Sequence, residues 1–373
     1  VPLVEDVAPL NRFQLHAYIG AADTINVDWA AVTVPRAGVL ARIGSVQIGA
    51  QADNVQFTIY KNGTSTAVVA TAIAAGSAGD GDIWLASDGE KLDLEFAAGD
   101  VCELRVTNAS ATGGERRFWM EFEGGGDASE VMQAAYSADV GAGSESAHTG
   151  FLGAGHVAGI AGVAYTAADG IPLLTLYRNG ATTGVTVQVG AADLDTAKDG
   201  VFYEFGPGEI EKLHFEKDEV LTLLSDGNGT AGEIWWTVVF KRGPERPNNE
   251  QNSLAYFAGV GDASAIAYAI ALRRSRVVAV GGAFSEAQTG ALSTVTVEKN
   301  GTDVLQGSTP AAVTFEAPLA SAGDPLPPTE FQLDGEEISA SSLDMEAGDV
   351  IGLDSDVAGT NGELYCQIAL REI

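Results

Sequence analysis

The sequence predicts an all-β chain of three tandem antiparallel sandwich domains. Three observations predict it. A phrase of one form returns three times about 120 residues apart, apolar residues alternate with period two around each copy, and glycine is abundant (46 residues) without a Gly-X-Y period. A long internal period signals repeated supersecondary units, and period-two alternation marks a strand with one buried face.

The repeated phrase closes a strand with a basic residue and Asn-Gly: QFTIYKNGT from Gln56, LLTLYRNGA from Leu173 and TVTVEKNGT from Thr294. Phe57/Ile59, Leu174/Leu176 and Val295/Val297 supply the apolar face in each. Asn-Gly accepts the positive φ angles of a tight two-residue turn, so each phrase reads as a hairpin. Three more anchors recur in the same order. An early Ala-Tyr places Tyr18, Tyr136 and Tyr256; an acid followed by Val ends at Val101, Val220 and Val350; a Gly-Glu precedes the last strand at Glu115, Glu233 and Glu363. Tyr to Asn spans 44, 43 and 44 residues, and Val to Glu spans 14, 13 and 13. Asn to Val varies (39, 41 and 50), which puts the extra length of the third copy near ASAGDPLPPTEF, read here as a Pro-rich surface loop.

The expected organisation is an N-terminal arm over 1–15 and repeats over 16–123, 133–242 and 253–373. The linkers GGGDASE (124–130) and GPERPNNEQN (243–252) separate them, since both lack apolar periodicity.

The last strand of each repeat alternates as well. Phe118/Met120/Phe122, Trp236/Val238/Phe240 and Cys366/Ile368/Leu370 are expected to face inward. Cys366, and Cys102 at a strand start, then read as small buried hydrophobes rather than nucleophiles, and no disulfide framework is expected. On the opposite face Trp119, Trp235 and Tyr365 fall at similar positions. Three aromatics there point to a surface covered by a neighbouring domain, so they are the interface candidates.

Repeat one reads WAAVTVPRAGVLARIGSVQIG, VQFTIYKNGT, LDLEFAAGDVCELRV and GERRFWMEFE. This resembles the C1q and tumour-necrosis-factor jelly roll. There a V-x-P-x-x-G strand precedes a strand ending in Lys-Asn-Gly, then a Leu-x-x-Gly-Asp-x-Val strand and a final aromatic strand. Repeats two and three keep the Asn-Gly turn and the acid-Val strand but lose V-P-R-A-G, and Asp218-Glu219 replaces Gly-Asp in repeat two. The resemblance implies jelly-roll domains that assemble as trimers. Three copies in one chain would supply a pseudo-trimer internally; a homotrimer of three stacked layers is the other arrangement. Similar glycine-rich jelly rolls resemble decoration, fibre and turret proteins of tailed viruses.

The net charge is -31, from 51 acids against 20 bases, of which only seven are Lys. Such a chain repels phosphate backbones and anionic lipid surfaces, so neither nucleic acid nor membrane is an expected partner. A self-repelling soluble surface explains the acidity; adaptation to high salt, where repulsion is screened, explains the scarcity of Lys as well. No apolar run is long enough for a transmembrane helix, and VPLVEDVAPLNRF lacks the pattern of a signal peptide.

No catalytic signature emerges. His16, His148, His156 and His214 sit in no metal-binding spacing, no G-x-S-x-G marks a hydrolase elbow, and GAGHVAGIAG lacks the strand-helix context of a nucleotide loop. The acidic clusters Asp80/Asp82, Asp226/Asn228 and Asp354/Asp356 have oxygen ligands of the kind calcium takes, but none forms an EF-hand loop, and they read as solvated loops. No cofactor or metal is expected.

Repeated jelly rolls, acidity and the lack of catalytic motifs together imply a non-enzymatic virion surface protein: a capsid decoration, spike or turret component. Its partner would be the major capsid protein or other virion proteins. The alternative is a carbohydrate- or receptor-binding module engaging a cell-surface glycan. The arm adds interface candidates, because Val4, Val7, Leu10 and Phe13 alternate with Pro2 and Pro9, which favour an extended segment able to add to a partner.

Overall fold

The structure is a computed structural model. It describes residues 12–20, 29–48, 55–72, 77–108, 114–125, 127, 129–137, 146–167, 173–188, 197–217, 219–226, 232–243, 250–260, 266–285, 293–303, 313–317, 324–330, 343–355 and 362–373. These residues form six antiparallel sheets, with two short helical turns, Asp88–Lys91 and Pro207–Ile210, between strands.

The first group of strands is β1 (Arg12–Ile19), β2 (Trp29–Thr33), β3 (Gly38–Gln47), β4 (Val55–Lys61), β5 (Thr64–Ala72), β6 (Gly81–Leu85), β7 (Glu95–Phe96), β8 (Val101–Asn108) and β9 (Arg116–Glu123). The second is β10 (Glu130–Ser137), β11 (Ser146–Gly150), β12 (Gly155–Ala164), β13 (Leu173–Arg178), β14 (Ala181–Gln188), β15 (Gly200–Glu204), β16 (His214–Phe215), β17 (Val220–Ser225) and β18 (Ile234–Arg242). The third is β19 (Glu250–Val260), β20 (Ile266–Ile270), β21 (Ser275–Phe284), β22 (Ser293–Lys299), β23 (Thr302–Asp303), β24 (Val313–Ala317), β25 (Pro325–Glu330), β26 (Asp344–Met345), β27 (Val350–Ser355) and β28 (Gly362–Glu372).

Each group makes two sheets of one pattern. β1-β9-β3-β6 faces β2-β8-β4-β5, β10-β18-β12-β15 faces β11-β17-β13-β14, and β19-β28-β21-β25 faces β20-β27-β22-β23. The inward alternation read from the sequence closes these sandwiches. Phe118, Met120 and Phe122 meet Phe57 and Ile59 in the first core, Trp236, Val238 and Phe240 meet Leu174 and Leu176 in the second, and Cys366, Ile368 and Leu370 meet Val295 and Val297 in the third. Cys102 and Cys366 are buried free thiols, and burial pushes both well above the usual thiol range.

The Asn-Gly turns have both residues at positive φ: Asn62 49° and Gly63 74°, Asn179 48° and Gly180 76°, Asn300 52° and Gly301 71°. The register is that of a two-residue hairpin, with Lys61 opposite Thr64, Arg178 opposite Ala181 and Lys299 opposite Thr302. A tertiary clasp fixes each turn. Asn62 Oδ1 accepts from the Val101 N–H at 2.8 Å while Asn62 Nδ2 donates to Asp100 at 2.7 Å. Asn179 does the same with Val220 and Glu219 (2.8 and 3.1 Å), and Asn300 with Val350 and Asp349 (2.8 and 2.8 Å). The preceding basic residue completes it: Lys61 lies 3.0 Å from Asp100 and Lys299 2.6 Å from Asp349. The Asn-Gly anchor and the acid-Val anchor are thus two halves of one device.

Two expectations change. ASAGDPLPPTEF was read as a surface loop, but Pro325–Glu330 within it is a strand at the end of its sheet, paired to β21 with a register shift between Val280 and Gly282. A strand at a sheet edge has one side free of ladder bonds, so prolines are tolerated there. The first strands also start earlier than expected, at Arg12, Glu130 and Glu250. Glu130 and Glu250, read as linker, are buried strand residues held by ion pairs, Glu130 with Arg36 and Glu250 with Arg371 at 2.6 Å.

Candidate interaction site: the axial aromatic cluster and the seams

The sandwiches close on one another in a ring. β2 of the first packs on β12, β15 and β18 of the second, β11 of the second on β21 and β28 of the third, and β20 of the third on β3 of the first. The three opening strands β1, β10 and β19 touch pairwise at the centre. A head-to-tail contact used three times in the same sense closes a cyclic assembly.

At the centre the Ala-Tyr anchors Tyr18, Tyr136 and Tyr256 gather with Trp29, Tyr165, Trp235, Leu254 and Tyr365 in one apolar cluster. Tyr256 meets Tyr365 at 4.8 Å and Tyr136 meets Trp235 at 5.7 Å between ring centroids, the rings of both pairs tilted. The Tyr165 hydroxyl crosses from the second sandwich to share its one proton between the Tyr18 and Ala31 carbonyls of the first, at 3.1 and 3.3 Å. The Gly-Glu anchors lie at this cluster. Tyr136 donates to Glu233 at 2.8 Å, and burial followed by Glu115 pushes the Tyr18 hydroxyl up to about 12.

Trp235 and Tyr365 therefore share the cluster, while Trp119 does not. Trp119 is buried at the seam between the first and third sandwiches, edge-on to His16 at 6.2 Å. Strand register decides this. Tyr136 lies opposite Trp235 and Tyr256 opposite Tyr365, but Tyr18 lies opposite Arg117. Arg117 thus takes the third place, its guanidinium 4.6 Å from the Tyr256 ring and 5.8 Å from the Tyr18 ring. Burial lowers the basicity of Arg117, opposed by the surrounding tyrosines and Glu115. The sequence signal was available in the anchor spacing: two residues after Gly-Glu stand Arg117, Trp235 and Tyr365.

The remaining interface candidates divide. Phe13 belongs to the first core, 1% exposed and stacked on Phe122 at 5.2 Å, so it is not part of a free arm. β1 starts at Arg12, and alternation carries Phe13 inward with Leu15. Val4, Val7 and Leu10 lie outside the described residues.

Charged side chains stitch the seams. Arg36 of the first sandwich clasps Glu130 of the second through two hydrogen bonds of 2.9 Å. Arg273 of the third clasps Glu121 of the first at 2.6–3.0 Å. Lys198 of the second reaches Glu103 of the first at 2.5 Å. Between second and third, backbones approach directly: a Cβ on Gly150 would lie 2.1 Å from the Gly282 carbonyl oxygen, so this seam requires glycine. His16 Nε2 accepts from the Leu254 N–H at 3.1 Å across the first-third seam.

Among the described residues, no group of three or more His, Cys, Asp or Glu is placed to hold a metal ion. Of the acidic clusters, Asp80 accepts from the Ser77 N–H, Asp82 from the Ile83 N–H and Asp226 from the Leu173 N–H, at 2.6, 2.8 and 3.1 Å. Asp354 lies opposite Ile266 and Thr296, while Asn228 and Asp356 lie outside the described residues. The chemistry on offer at the centre and seams is cohesion: aromatic packing, buried ion pairs and close backbone contact.

No protein-family model matches the chain, and no curated protein matches it. Among solved structures, the chain is similar to PNGF-II at 6% identity and a TM-score of 0.26, over 63% of this chain and 66% of that one, just under two thirds of its length. It is similar to the major capsid protein P2 of bacteriophage PM2 at 10% identity and a TM-score of 0.21, over 62% and 99%. It is also similar to a triple jelly roll fold and turret assembly in an archaeal virus at 10% identity and a TM-score of 0.21, over 96% and 91%. At these scores the likenesses carry no functional argument. The β-sandwich class of the chain stands on its own six sheets.

Proposed function

We propose that the protein is a non-enzymatic component of a virion surface, a decoration, spike or turret protein. In this reading its three jelly-roll sandwiches form a pseudo-trimer within one chain, and it is seated on the major capsid protein or another virion protein. The observation that carries this reading is the closed ring: three sandwiches of one strand order, joined head to tail by buried contacts around an aromatic centre. Burying the inner faces in the ring leaves outer sheet edges and loops for a partner, an arrangement suited to a rigid building block. The strong negative charge of -31 keeps such blocks apart from one another and from nucleic acid. We take the units as opening at Arg12, Glu130 and Glu250.

The test is mass spectrometry of purified particles combined with cryo-microscopy of their surface. The protein is expected in the particles, as a knob with internal pseudo-threefold form. Its absence from every purified particle would remove the reading.

A further inference from the structure

We propose that His156 and His214 form a two-imidazole site for a divalent transition metal of the nickel, copper and zinc group, on the non-core face of the second sandwich, at the solvent-open rim of its seam with the first. The residues lie directly opposite each other on neighbouring strands, β12 and β16. Opposed cross-strand residues project to the same face with Cβ atoms about 5 Å apart. Their flanking residues Val157 and Phe215 point into the second core, so the two imidazoles point away from it. His214 is exposed and His156 half-buried.

The ring centroids stand 5.4 Å apart with planes at 53°. Metal–imidazole bonds of about 2.1 Å place two rings on one tetrahedral ion with centroids about 5 Å apart. The ring separation therefore matches that of a chelating pair. Imidazole nitrogen selects this group of metals over calcium and magnesium, which take oxygen. Two protein donors leave the other coordination positions to water.

The surroundings favour a neutral His156. His156 lies in a cross-strand row Glu130–Lys241–His156–His214. Burial, His214 and Lys241 hold His156 below the ordinary histidine value, with Glu130 opposing. Lys241 is itself drawn to Asp127 at 2.6 Å, and Arg178 donates to the backbone carbonyl of His214 at 2.9 Å, leaving the His214 ring free of that contact. A neutral ring has no proton for the metal to displace. The ion would also tie the two-residue strand β16 to β12, and because the unfolded chain lacks the paired geometry, binding should raise the melting temperature.

The experiment is calorimetric titration of the full chain with Ni²⁺ at neutral pH, beside thermal melts with and without the ion. One ion per chain is expected, with a higher melting temperature. His214→Ala and His156→Ala should each weaken binding roughly ten-fold or more and abolish the thermal shift, since each removes one of two donors. His16→Gln, at a distant seam, should bind as the wild type does. With Cu²⁺, electron paramagnetic resonance should show two nitrogen donors in the wild type and one in each alanine variant. His214 is exposed, so its removal leaves the fold intact by circular dichroism. Unchanged affinity in either alanine variant, or no binding by the folded wild type, overturns the proposal.

Discussion

Arg273 and Glu121 close the ring. The guanidinium of the third sandwich meets a carboxylate of the first that is almost wholly enclosed, with contacts of 2.6–3.0 Å, and Arg42 stands 3.3 Å from the same carboxylate. An enclosed carboxylate left without its partner carries a large desolvation penalty. Arg273→Ala should therefore destabilise the chain by about 3 kcal/mol, Arg42 retaining part of the pairing. Arg274→Ala, which loses only an exposed pair with Glu346, should cost less than about 0.5 kcal/mol. Urea unfolding distinguishes them, and equal midpoints would contradict a closed ring.

Trp235 reports on the centre. Trp235→Asp places a charge in the aromatic cluster and should lower stability by about 3–5 kcal/mol, the range for loss of a large buried aromatic. A centre built within one chain also requires a 38.4 kDa particle in solution. Light scattering checks the mass; a stable homotrimer would instead favour stacked layers. An unchanged melting temperature in the variant would deny the buried contact.

Acid should weaken the protein through two buried imidazoles. Burial lowers His16 to about 3, with Arg117 adding to it, and lowers His148 to about 4, against 6.5 for an ordinary histidine. Between these values the unfolded chain binds the extra protons. Stability is then full above about pH 6.5 and falls progressively as the pH drops toward 4 and 3, by a few kcal/mol in total. His16→Gln keeps an acceptor for the Leu254 N–H but cannot titrate. Its stability profile between pH 6.5 and 5, above the carboxylate range, should be flatter than that of the wild type. Superimposable profiles would exclude His16 as a source.

Salt should act in the opposite sense. With a net charge of -31, repulsion across the surface is screened as ionic strength rises. The melting temperature should climb from low to molar sodium chloride. A flat curve would remove adaptation to high salt as the reason for the acidity.

A deletion that tests the arm has to stop short of the sandwich. Phe13 is core and Arg12 pairs with Glu372 at 2.9 Å, so removal of residues 1–10 spares both. That deletion should leave the melting temperature within a degree or two of wild type while reducing occupancy when the protein is added back to particles lacking it. Undiminished occupancy would take the arm out of attachment.

Local chemistry determined much of this protein by sequence alone. Asn-Gly at 62, 179 and 300 demands positive φ and so dictates the hairpins, and period-two runs such as Phe118–Met120–Phe122 dictate which side of a strand is buried. Both depend on a few adjacent residues. What lay beyond reach depended on partners distant in the chain. Only strand register puts Arg117, not Trp119, opposite Tyr18 and hence among the axial rings. Only the free side of an end strand makes Pro325–Glu330 a strand instead of a loop. Only Arg36, 94 residues away, makes Glu130 a buried residue rather than a linker acid. The pairing of Asn300 with Asp349 and Val350 likewise turns two separate repeat anchors into one clasp. A side chain's neighbours along the chain set its backbone angles and its face, but the free energy of burying a charge or a ring is settled by the residues that fold over it.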